Sequence, residues 1–194
     1  MKSGFISNRG AGWGARLLGA LGLFGAAMCA PFAAQAQSES FNVDAQVGLI
    51  EPLTITKLSD LDFGGLIVTT GGTVVLTPTA TATCVATGGV IHSGECQAAT
   101  FAGSGITGQR VRVRRPIGNA ITLTGPGADM TVTNITILAD ATLNPTQSNP
   151  NWERFLIASG DGTFFFRVGG TLNVNPNQAP GVYTGTFDIR LDYQ

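Results

Sequence analysis

The sequence predicts an all-β domain of antiparallel strands, and three observations carry that prediction. Thr, Gly and Val dominate while charged residues make up 12% of the chain, a composition suited to pleated, half-buried surfaces. No window keeps helical periodicity beyond two turns. The closing stretch, Gly181 to Tyr193, places Tyr183, Phe187, Ile189, Leu191 and Tyr193 on one face and Thr184, Thr186, Asp188, Arg190 and Asp192 on the other. That is the period of a half-buried strand. Such a strand needs a core beneath it and partners along its edges.

Residues 1–36 read as a cleaved export signal. Lys2, Arg9 and Arg16 form a basic start, Leu17 to Ala27 an apolar run, and Ala34-Gln35-Ala36 a small-x-small cleavage site. Glycines break the run and Pro31 ends it, too short for a transmembrane helix, and no later segment is apolar enough to span a membrane as a helix. Cys29 follows Met28 rather than a small residue, which argues against a lipid anchor. Twelve acidic and eight basic residues follow residue 36, a net charge of −4, ordinary for a soluble surface and wrong for a nucleic-acid binder. The remaining length suits one domain that buries about two-thirds of its unfolded surface. We divide the chain into the signal (1–36), an N-terminal alternating strand (37–50) and a single β domain (51–194).

Cys84 and Cys96 are the cysteines left after cleavage, and an even pair in an exported chain forms a disulfide. Closing so short a loop contributes roughly 3 kcal/mol in the chain-entropy picture. A metal site is the competing reading, with His92 as the sole histidine and Glu95 as a weak fourth donor, short of a tetrahedral set. We expect no metal and no cofactor.

The first strand alternates Phe41, Val43, Ala45, Val47 and Leu49 with polar residues and stops before Pro52, which cannot donate to a ladder. Leu53 to Lys57 resumes as a strand. Asp60 and Asp62 alternate with Leu61 and Phe63, a strand start with its polar side in water and a glycine turn at its end, without the further oxygen ligands calcium demands. Gly71-Gly72 turns the chain into a strand at Thr73–Thr77, ended by Pro78. Thr79–Ala86 and Gln97–Phe101 are expected strands. Between them Thr87–Glu95 reads as a surface loop pinned by the disulfide, a place where recognition is often found.

Arg110, Arg112 and Arg114 share one strand face, with Val111 and Val113 on the other. The stripe suits contact with an anion or an acidic patch on a neighbouring subunit, or a solvated face that discourages wrong edge pairing. Ala120–Thr124 and Met130–Leu138 are strands joined through Gly125-Pro126-Gly127, and residues 139–153 read as a loop ending in Trp152, a core-edge anchor. Asn134-Ile135-Thr136 matches a glycosylation sequon that matters only in a eukaryotic secretory route. Phe155–Ala158 and Thr163–Phe166, flanking Asp161-Gly162, read as a hairpin.

The succession Leu53-Thr54-Ile55, Asp60-Leu61-Asp62-Phe63-Gly64, Leu172-Asn173-Val174 and Pro180-Gly181-Val182-Tyr183-Thr184-Gly185-Thr186-Phe187-Asp188-Ile189 through Tyr193 resembles a family of secreted bacterial proteins, domain of unknown function 4402. More loosely, the closing Gly-x-Tyr-x-Gly-x-Phe strand and the short N-terminal strand are similar to chaperone–usher pilus subunits. That resemblance implies an immunoglobulin-like antiparallel β-sandwich that lacks one strand, filled by the N-terminal extension of the next subunit. Phe41, Val43, Ala45, Val47 and Leu49 would then be donor side chains beside an acceptor strand carrying Tyr183, Phe187, Ile189, Leu191 and Tyr193. Pilin cysteines commonly join the first two strands, whereas Cys84 and Cys96 close a later loop.

The function expected is that of an exported, non-catalytic structural or adhesive subunit in the periplasm, at the cell surface or outside the cell. Its expected partners are copies of itself or related subunits, with a periplasmic chaperone. The alternative is a self-contained secreted sandwich that binds carbohydrate or another surface component through its loops. An outer-membrane barrel would need a continuous apolar band with aromatic girdles, which two Trp and two Tyr do not supply. An enzyme is disfavoured by a single histidine, no free thiol and no phosphate-cradling glycine loop.

Overall fold

A computed structural model describes residues 46–48 and 50–194. Residues 1–36, where an export signal is expected, and Phe41, Val43, Ala45 and Leu49 lie outside the described residues, so the donor-strand expectation is open there. Val47 lies outside any strand and is 88% exposed. No helix among the described residues is long and apolar enough to cross a membrane.

The strands are β1 (Thr54–Ser59), β2 (Gly65–Thr77), β3 (Thr83–Ser93), β4 (Ala99–Ser104), β5 (Arg110–Arg114), β6 (Ile121–Leu123), β7 (Met130–Ala139), β8 (Leu143–Asn149), β9 (Trp152–Ile157), β10 (Thr163–Val174) and β11 (Arg190–Tyr193). They form two antiparallel sheets in a sandwich-like arrangement: the composition predicts the all-β class, and the sandwich is what the resemblance implies. One sheet has seven strands and the other runs β11-β5-β9-β8.

β10 is the spine of the larger sheet. β7 pairs along one of its edges, while β4 meets Thr163–Val168 and β2 meets Gly170–Val174 on the other. With both edges occupied, its inward side chains Phe164, Phe166 and Val168 have no exposure, and Phe166 stacks on Phe101 with ring centroids 5.1 Å apart. The smaller sheet contributes Val111, Val113, Phe155 and Ile157, equally closed to water. Apolar side chains from both inner faces thus form one core, the dominant source of stability in such a fold. The two strands expected on either side of Gly125-Pro126-Gly127 are present as β6 and β7, and they pair with each other.

Four expectations need correction. Phe155–Phe166 is no hairpin: β9 pairs with β5 and β8, β10 pairs with β4, β7 and β2, and the Asp161-Gly162 turn carries the chain between sheets. The turn chemistry is nonetheless used, since Asp161 Oδ1 accepts from the Thr163 amide at 3.1 Å and Gly162 has φ 74°. Residues 139–153 are not all loop, because β8 sits there as an edge strand. Pro145 is tolerated at that edge and the register shifts between Pro145 and Gln147.

Thr87–Glu95 is not a loop either. β3 continues to Ser93, paired with a β2 that extends back to Gly65. The ribbon is bent, with a register shift between Val68 and Gly72, and glycines pack the bend: a Cβ on Gly72 would lie 2.1 Å from the Thr87 carbonyl oxygen, and Gly88 has φ 71°. Sequence alone marks those glycines as a turn and a loop, since periodicity does not separate a folded ribbon from two strands.

The fourth correction concerns the closing stretch. Only Arg190–Tyr193 is laddered, against β5, and Thr184 makes an isolated bridge to Thr124. The alternation in burial survives all the same. Tyr183, Phe187, Ile189, Leu191 and Tyr193 are half-buried against the core while Thr184, Thr186, Asp188 and Arg190 are exposed.

Candidate functional site: the C-terminal ribbon and its open edge

The ribbon is fixed at both ends by tyrosine hydroxyls. Tyr183 Oη donates to the Ala179 carbonyl at 2.9 Å and accepts from the Gly127 amide at 3.1 Å, with its ring over Gly125. Tyr193 Oη accepts from the Ile106 amide at 3.0 Å and donates to the Glu51 carbonyl at 3.2 Å. Amphipathic rings of this kind bury their bodies and keep one polar handle satisfied.

Between the anchors the chain passes from the β6 side of the larger sheet to the β5 side of the smaller one. Gly185 is pressed so closely on Thr122 that a Cβ would lie 2.1 Å from the Thr122 carbonyl oxygen. From residue 185 to residue 189 the main chain makes no hydrogen bond to any other described residue. Backbone donors and acceptors left this way need water or another strand. Beyond them β11 is the edge of its sheet, paired on one side alone among the described residues. A cleft of about 840 Å³ runs beside this segment, lined by Arg114, Ile121, Trp152, Phe187, Asp188 and Arg190 among others.

The arginine stripe forms as the alternation predicts, on the outer face of the smaller sheet. Asp192 sits opposite Arg112 in register and takes hydrogen bonds from both Arg112 and Arg114, the latter at 2.9 Å. Burial alone would raise the Asp192 carboxyl, but the hydrogen bonds and charges of the two arginines hold it below its ordinary value. Arg154, over the Trp152 ring at 4.6 Å, donates to Gln147 at 2.7 Å and Gln194 at 3.0 Å. Arg110 is exposed and makes no ion pair among the described residues. Two of the three stripe arginines are therefore engaged within the fold.

Arg115 was not part of the stripe, and sequence reasoning passed over it. It follows Val111 and Val113 at strand period, which turns it inward. Its side chain is 7% exposed, pairs with Glu153, and donates to the Ile135 carbonyl at 2.8 Å and the Asn149 carbonyl at 2.5 Å. Burial pushes the Glu153 carboxyl above its ordinary value, against the opposing pull of Arg115. The signal lay in the odd register, and the charge concealed it.

Cys84 and Cys96 are joined as a disulfide, with Cα atoms 6.3 Å apart. Asp60 pairs with Lys57 at 2.5 Å, and Asp62 accepts the Gly64 amide at 2.8 Å to close the turn.

Two antiparallel sheets around one apolar core, with a C-terminal ribbon half-seated at their edge, define a β-sandwich protein. Residues 53–193 match the family model described as "Domain of unknown function (DUF4402)", and the chain belongs to that family. No curated protein and no solved structure gives a significant match to it.

Proposed function

We propose that the protein is an exported, non-catalytic structural subunit that assembles by strand addition, with the N-terminal segment of one copy completing the open edge along residues 185–193 of another. The observation that carries this reading is the unpaired main chain of residues 185–189, whose side chains Phe187 and Ile189 already pack on the core. An incoming strand would satisfy those amides and carbonyls, and its alternate side chains would supply specificity. Residues 41–49 and 185–193 are matched in length, about 30 Å each at the rise of a strand. The alternating donor series, export to the periplasm or cell surface and help from a periplasmic chaperone belong to the same proposal.

The exported chain is expected to form oligomers in light scattering, and Val43→Asp with Val47→Asp is expected to leave a folded monomer that a peptide of residues 38–50 rebinds. A stable wild-type monomer whose residues 41–49 are protected from hydrogen exchange in cis would overturn strand exchange. It would favour instead a self-contained sandwich, for which the cleft between Trp152 and Arg190 offers the binding surface.

A further inference from the structure

β3 carries Cys84 near its start and His92 near its end, eight positions apart, which a straight strand would separate by about 26 Å. The glycine bend folds the ribbon so far that the ligand atoms of Cys84, His92 and Cys96 all lie within 4.8 Å of one another. His92 Nε2 is buried and has no hydrogen-bond partner. Gly64 leaves room for it, since a Cβ there would stand 2.9 Å from Nε2. A buried polar atom without a partner costs free energy and calls for an explanation. Two sulfur atoms beside it supply one.

We propose that Cys84, Cys96 and His92 form a redox-gated site for Cu(I), closed while the disulfide stands and opened by a dithiol reductant. In the opening step an electron pair passes from the dithiol, which becomes a disulfide, to the Cys84–Cys96 bond, and each sulfur takes up a proton. Binding of Cu(I) then releases both protons to solvent and joins two thiolates and the His92 imidazole through Nε2. Metal–sulfur bonds of about 2.3 Å and metal–nitrogen bonds of about 2.0 Å set ligand atoms less than about 4 Å apart, within reach of small side-chain rotations here. Thiolates select soft ions. With three donors among the described residues, the set suits a three-coordinate monovalent ion better than zinc, whose structural sites take four ligands. The disulfide staples the folded ribbon in the absence of reductant, and the metal would replace that staple when the sulfurs are reduced.

The test is an anaerobic titration of Cu(I) into the full exported chain, oxidised or reduced by a dithiol that is then removed, with Zn(II) as a parallel arm. The reduced protein is expected to bind one equivalent of Cu(I) with near-ultraviolet sulfur-to-copper absorption, and X-ray absorption to report two sulfur scatterers and one nitrogen. The oxidised protein is expected not to bind. His92→Ala retains the disulfide, so circular dichroism of its oxidised form checks the fold, and its reduced form should lose more than the roughly 10–100-fold that even an outer ligand partner is worth. Equal binding by His92→Ala overturns the site, as does binding by the oxidised protein, tighter zinc binding with a fourth ligand, or a reduced chain that is unfolded with and without copper.

Discussion

Arg115 and Glu153 form the most consequential polar pair at the level of single residues. Both side chains are largely removed from water, and Arg115 also satisfies two main-chain carbonyls. Removing one partner leaves the other buried and uncompensated, so Arg115→Met is expected to cost about 3–5 kcal/mol in urea denaturation, while Arg115→Met with Glu153→Leu recovers most of it. Asp192 gives the opposite kind of signature. Its lowered carboxyl contributes stability that is present above the ordinary carboxylate range and is lost as pH falls through the lowered value. The raised carboxyl of Glu153 runs the other way, its contribution fading as pH rises. Asp192→Asn should therefore lower the unfolding free energy at neutral pH, by no more than about 1 kcal/mol for a pair a third exposed, and the difference from wild type in urea denaturation should vanish in acid. Val111, Val113 and the arginine stripe were legible in the sequence because alternation is a local property. The destination of Arg115 was not, since it depends on carbonyls of β7 and of the end of β8, far away in the chain.

Among the strands, the sequence registers what each is made of more faithfully than what each pairs with. Phe164 and Phe166, expected in a strand, lie in β10. Their neighbours were misread, because Asp161-Gly162 promotes a tight reversal equally well within one sheet or between two. Residues 139–153 contain Pro145, which a central strand would exclude but the edge strand β8 accommodates. The closing stretch shows the same limit: its burial pattern follows the side chains, but its ladder depends on whether a partner is within reach. The bent β2–β3 ribbon is the element most exposed to a single methyl group. Gly72→Ala would drive a Cβ into the Thr87 carbonyl oxygen, and the expected loss is about 1–3 kcal/mol by thermal denaturation, with Thr73→Ala next to it, on the strand face, far milder.

At the level of the whole molecule, the sandwich is stitched together by contacts remote in sequence. β1 pairs with β4 some 50 positions away, and β11 with β5 some 80 positions away, as the Thr54–Ser104 and Arg112–Asp192 hydrogen bonds record. The smaller sheet is therefore incomplete until β11 joins β5, and a fold with so many distant pairings closes slowly. The all-β class could be read from composition. The assignment of strands to two sheets could not, because nothing in a strand's own sequence names its sheet.

The hydrogen bond from Tyr193 to Glu51 has a consequence for how the chain could be rewired. It sets the entry and exit of the domain side by side, so a few flexible residues would bridge Gln194 to Glu51, and new ends could be cut at the Thr107-Gly108 turn before β5. Such a circularly permuted chain should keep its cooperative melting transition, because the cut spares both sheets, and broad non-cooperative melting would show that the native order of segments is required for folding. In a string of copies linked by strand addition, the same adjacency would place each outgoing arm next to the tail of the subunit that sends it.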